Sequence, residues 1–126
     1  MEEIAKIKSF SDLIAWRRGH ELVLFIYQIT KIFPQNEQFG LVSQMRRAAV
    51  SITSNITEGF YRGSYKEKKH FYLSARASLG ELQNQLLISR DIKYLNLDKF
   101  TEISQKSVEV HKLLNGLIRG CQRMIK

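Results

Sequence analysis

Apolar residues recur along this chain at alternating steps of three and four, with no persuasive strand-length alternation at steps of two, a pattern that predicts an all-α protein. Turn residues divide it into four helices at roughly 12–33, 41–59, 65–90 and 98–124. Ser11 is the expected N-cap of the first, and Pro34 stops it. Within it Leu13, Trp16, His20, Val23, Tyr27 and Thr30 form one stripe, while Leu22, Leu24, Phe25 and Ile26 add apolar groups around the rest of the cylinder. A helix apolar on more than one face needs a second burial surface. In so short a chain another copy is the simplest one, so these four residues are the expected oligomer contact.

The second helix ends near Gly59, and after the turn R-G-S the sequence Ser64-Tyr65-Lys66-Glu67 reads as a capping box opening the third. Phe71, Ala75, Ser78, Leu82 and Leu86 form the core stripe of helix three; Phe100, Ile103, Val110, Leu114, Leu117 and Cys121 mark helix four. Short connections make an antiparallel up-down-up-down four-helix bundle, one domain over 1–126, the economical architecture.

Polar residues interrupt this pattern in a regular way. On helix two Leu41, Met45, Ala48, Ile52 and Gly59 share one face with Asn55 at its centre, flanked by Gln44, Ser51 and Glu58; on helix three Ser78, Glu81 and Gln85 make a similar seam. Buried amides and carboxylates cost several kcal/mol unless hydrogen-bonded. The two seams are therefore expected to face each other, with Asn55 buried and Glu58 bonded to Glu81, and to specify helix pairing.

The string F-G-L-x-x-Q-x-R-R-A-x-x-S-I-x-S-N-I-x-E-G over 39–59, preceded by F-x-D-L-x-x-W and F-P-x-x-E, resembles the four-helix-bundle family of proteins encoded within 23S ribosomal RNA intervening sequences. The match continues through Arg62, Ser64, Ser78, Leu79, Glu81, Gln85, Leu86 and Tyr94; Ala77 and Gln83 depart from it. A role resting on a second carboxylate at position 83 does not carry over. The accessory variability proteins of diversity-generating retroelements resemble the same family. The resemblance implies a basic ring-like homo-oligomer, a pentamer, that engages RNA and a reverse transcriptase, and implies no enzymatic activity.

Composition fits this reading. A net charge of +8 and a pI near 9.8 favour a polyanionic partner, RNA or DNA, over ordinary solubility charge. The single cysteine, Cys121, and the absence of a basic-then-apolar leader in M-E-E-I-A-K-I-K point to the cytoplasm, and no apolar run is long enough for a membrane. Charge is uneven along the chain: residues 41–90 hold eight basic and three acidic side chains. Tyr65, Lys69, Tyr72 and Arg76 lie at i, i+4, i+7 and i+11, and are expected to form a stripe facing away from the core, with Arg62, Lys66, Arg46 and Arg47 extending it, Arg47 reading equally as the partner of a carboxylate in the polar seam. Lysine and arginine displace counterions from phosphates and tyrosines stack on unpaired bases. The same stripe reads equally as a subunit contact with solvated lysines.

Catalytic and metal patterns are weak. Glu67 and His70 make one E-x-x-H, but a di-iron bundle needs two such pairs and two further glutamates. His20 and His111 stand apart from any serine-carboxylate signature, and the sequon at Asn55 lies inside a helix. The expected protein has no cofactor, no metal and no enzymatic activity, and binds structured RNA as a closed homo-oligomer; the alternative is a protein-interaction scaffold whose charge is incidental.

Overall fold

The computed structural model describes residues 6–126, and among these it is all-α: α1 (Ile14–Thr30), α2 (Leu41–Phe60), α3 (Tyr65–Asp91) and α4 (Leu97–Met124), with no strand. The leader reading rests mainly on residues 1–5, which lie outside the described residues. Single 3-10 turns, Phe10–Asp12 and Gln35–Glu37, precede α1 and α2. No helix among the described residues is long and apolar enough to cross a membrane.

Helix starts are fixed by acceptors for their free amides. Ser64 Oγ accepts the Glu67 amide at 3.1 Å, Asn96 Oδ1 that of Lys99 at 2.8 Å, and Glu37 Oε1 that of Leu41 at 3.3 Å. The start of α1 differs from the sequence expectation. Ser9, not Ser11, is the capping residue, and it caps the 3-10 turn in a reciprocal box with Asp12. Leu13 then adopts an extended conformation before α1 begins. The Asp12 carboxylate, accepting the amides of Lys8 and Ser9, is held below its ordinary value. At its far end α1 stops at Thr30, whose hydroxyl bonds the Ile26 carbonyl at 2.7 Å, and Phe33 turns inward after it.

Each helix packs antiparallel against two neighbours, closing a square: α1 on α2, α2 on α3, α3 on α4 and α4 back on α1. The cross-contacts fix the register. Arg46 meets Thr30, Ser51 meets Ser78, Gln83 meets Ser107 and Arg18 meets Glu109. Leu22, Ile26, Met45, Ile52, Ile56, Leu79, Leu82, Ile103 and Leu114 fill the centre and are fully buried. Each is worth about 1.5–3 kcal/mol relative to exposure.

The α1 stripe expected from apolar spacing is out of phase with the observed one. The buried face runs through Ala15, Gly19, Leu22, Val23, Ile26 and Ile29, while His20 and Tyr27 are exposed. Small residues set the phase. A Cβ at Gly19 would lie 3.1 Å from Thr53 Cγ2, so the bare glycine lets α1 sit close on α2. Leu22 and Ile26, expected on an oligomer contact, are core residues of their own bundle; Leu24 is exposed and Phe25 half-buried. On α2 the buried face also differs from expectation, with Ile52 and Ile56 at its centre and Asn55 beside it.

Candidate nucleic-acid interface

The polar seams of α2 and α3 do meet, through Arg47 and a seam carboxylate rather than through Glu58 and Glu81. Ser51 and Ser78 hydroxyls are 2.8 Å apart, and Arg47 forms an ion pair with Glu81 while also binding Gln44 Oε1 at 3.0 Å. Gln85 is buried and donates to Glu81 at 3.3 Å. Asn55 is only half-buried and turns back on its own helix, donating to the Ser51 carbonyl at 2.8 Å. Glu58 is exposed and pairs with Arg62 at 3.0 Å. It lies at the level of Phe71, well along the bundle from Glu81, so the expected carboxylate pair does not form. The seam is a pairing device with its charges neutralised internally.

The basic-aromatic stripe of α3 also differs from expectation. Tyr72 is buried against Ile118 and Cys121, the Arg76 guanidinium donates to Asn115 Oδ1 at 3.0 Å, and Lys69 reaches Gln122. These three side chains face α4; Tyr65 alone of the four is freely exposed. In a square bundle each helix buries two adjacent flanks, so a stripe displaced from one packing face can still be covered by the next helix, here α4. Close approach of the helices accompanies the burial: a Cβ at Gly59 would fall 2.7 Å from the Tyr72 ring.

Burial pushes the Tyr72 phenol up to about 12 from an ordinary 10.0. Below pH 10 both folded and unfolded chains keep this proton and the full stability is present. Between pH 10 and about 12 the unfolded chain ionises while the folded one does not, so stability falls by about 1.4 kcal/mol per pH unit. Tyr72→Phe is therefore expected to flatten the decline in urea-unfolding free energy across this range relative to the parent. Parallel declines in the two proteins would sink the assignment.

Cationic side chains gather by bundle end rather than along one helix face. The antiparallel topology brings the start of α1, the α2–α3 turn and the end of α4 to one pole of the bundle. That half, residues 6–17, 51–77 and 112–126, carries twelve basic side chains and three acidic ones; the other half, 18–50 and 78–111, carries eight and seven. Five of the seven ion pairs among the described residues lie in the second half. At the pole Lys66, Arg119 and Arg123 are exposed and form none of them. Arg62 and Lys66 stand at its α2–α3 turn, whereas Arg46 and Arg47 lie in the other half, engaged with Thr30 and Glu81. Lys68 caps the end of α2, donating to the Phe60 carbonyl at 2.6 Å.

Aromatic groups share this pole. Phe10 packs edge-on against Trp16 and Tyr61, His20 stacks on Trp16 with centroids 4.7 Å apart, and Tyr61 and Tyr65 project into solvent. Sequence reasoning reads Arg119 and Arg123 as complements of the α4 dipole and does not assign them or Tyr61 to the binding surface, because it sums charge along the chain. Summing by bundle end, given the four-helix topology, would have found them.

Among the described residues no group of three His, Cys, Asp or Glu side chains is placed to hold a metal. Cys121 is buried, and that burial raises its thiol above the ordinary value.

A family model described as 23S rRNA-intervening sequence protein matches residues 11–116. No curated protein matches the chain. Among solved structures, a protein of unknown function from the S23 ribosomal protein family of Bacteroides thetaiotaomicron is similar in fold, with a TM-score of 0.77 and 24% identity over 83% of this chain and 98% of the other.

Proposed function

Because the chain belongs to the 23S rRNA-intervening sequence protein family and gathers most of the unpaired cations among its described residues at one pole, we propose that it is a non-enzymatic bundle that binds structured RNA through that pole. The supporting observation is the charge division among the described residues: twelve basic against three acidic side chains at the pole, near balance in the other half. Phosphates gain most from cations that have no carboxylate of their own, and Tyr61 and Tyr65 offer faces for unpaired bases. The bundle acts as a closed homo-oligomer, five subunits being the number that the family resemblance implies. Leu24, Ile32 and Phe39, the last 96% exposed, are among the exposed apolar side chains available for that assembly. Several poles on one particle raise the effective concentration of each later contact.

The experiment is fluorescence anisotropy of a labelled structured RNA over a salt series, with a DNA duplex of equal length as competitor. Expected is binding that survives about 0.15 M salt, a steep log–log salt slope and a preference for RNA. Binding that vanishes at that salt would refute the reading and turn attention to the exposed apolar surface as a protein contact.

A further inference from the structure

At the α2–α3 turn lies an open cleft of about 370 Å³, within the ~300–1,000 Å³ range of small-ligand sites, lined by Arg62, Lys66, Glu67, His70 and Phe71. Its walls are braced. The Arg62 guanidinium lies 4.6 Å from the Phe71 ring centroid and is tied to Glu58 at 3.0 Å, and the His70 ring meets Phe71 edge-on at 5.4 Å. Lys66 is exposed and has no ion pair among the described residues.

Glu67 is the informative member. In a full capping box its carboxylate would accept the Ser64 amide, yet only the Ser64 half is made, Oγ accepting the Glu67 amide. The Glu67 carboxylate forms no ion pair among the described residues and stands exposed in a cationic cleft. A site for bare phosphate is weakened by a carboxylate. A site for a nucleotide is not, because a nucleotide presents both anionic oxygens and N–H donors.

We propose that this cleft binds one unpaired guanosine of an RNA strand, a proposal that rests on the reading of the pole as the RNA surface. Lys66 takes a flanking phosphate, and the planar faces of His70 and Arg62 stack on the base. The Glu67 carboxylate accepts the N1 and N2 protons of guanine, two neighbouring donors that match its two oxygens. Adenine and cytosine offer a single amino group on that edge, and uracil places carbonyls beside its one N–H. The Watson–Crick edge is free only when the base is unpaired, so the selected segments are loops, bulges or strand ends.

The test uses labelled uridine decamers carrying guanosine, inosine, adenosine or uridine at one central position, titrated by anisotropy with the parent protein and with Glu67→Gln. Expected is about tenfold tighter binding of the guanosine strand than of the adenosine strand by the parent, inosine falling between, and collapse of that ratio in Glu67→Gln. Equal affinities for all four strands overturn the guanosine proposal and leave the RNA reading standing. A guanosine preference that persists in Glu67→Gln, with the variant's circular-dichroism melt unchanged, overturns the assignment to this cleft. Absence of binding to these strands and to structured RNA overturns both.

Discussion

The triple variant Lys66→Glu, Arg119→Glu, Arg123→Glu is expected to bind structured RNA about a thousandfold more weakly than the parent at ~0.15 M salt. The log–log salt slope should become shallower by about three, one for each phosphate contact removed. These side chains come from two helices that meet only in the folded bundle, and none forms an ion pair among the described residues, so no internal partner is stranded by the change. Their structural cost is small. Arg119 and Arg123 lie in the last turns of α4, where a cation complements the helix dipole by about 0.3–1 kcal/mol, so the melting temperature should fall only slightly. A folded triple variant that binds RNA as tightly as the parent would rule out the pole. The matching control is Lys99→Glu with Lys106→Glu in the neutral half, where both ammoniums lie 5.6 Å from the Phe25 ring; it should leave the affinity nearly unchanged.

Gly19→Leu is expected to destabilise the bundle by about 3 kcal/mol, at the upper end of overpacking costs. The first added carbon already lies 3.1 Å from Thr53 Cγ2, with Ile56 Cδ1 and Ile52 Cγ2 at 3.8 and 3.9 Å, so the remaining three carbons have no space. Ile52 and Ile56 are fully buried and cannot swing outward without opening the α1–α2 seam. Gly19→Ala separates packing from backbone effects. It adds only the crowded Cβ and gains about 1 kcal/mol of helix propensity, so its net change should be small. Denaturant midpoints of both variants test this, and a Gly19→Leu protein as stable as the parent would show that α1 and α2 separate at little cost.

How far the sequence reveals the structure follows from what each kind of residue reports. Large apolar side chains at helical spacing located four helices and their antiparallel order, because only one topology buries such stripes through short connections. They did not locate the contact faces. Ala15 and Gly19 set the phase of α1 through closeness of approach, a property that apolar periodicity does not weigh, and Leu22 and Ile26 were consequently placed outside. Polar positions at core spacing signalled the α2–α3 seam, yet partner choice depends on axial register. Arg47 lies level with Glu81 and Glu58 does not, which no spacing within one helix can reveal. The α3 stripe was misplaced because one helix seen alone has a single inside and a single outside, whereas in the square it has two buried flanks. Tyr72 lies where the two meet, against Gly59 of α2 and against Ile118 and Cys121 of α4.

The division of charge also makes the bundle a permanent electric dipole directed along its length. Such a body rotates in the field of a polyanion before the two touch, so the fraction of encounters that begin in the right orientation rises as ionic strength falls. Salt then acts on the speed of capture as well as on the final affinity. The seven ion pairs among the described residues, gathered mainly in the balanced half, hold that end near electrical silence and give the molecule a front and a back.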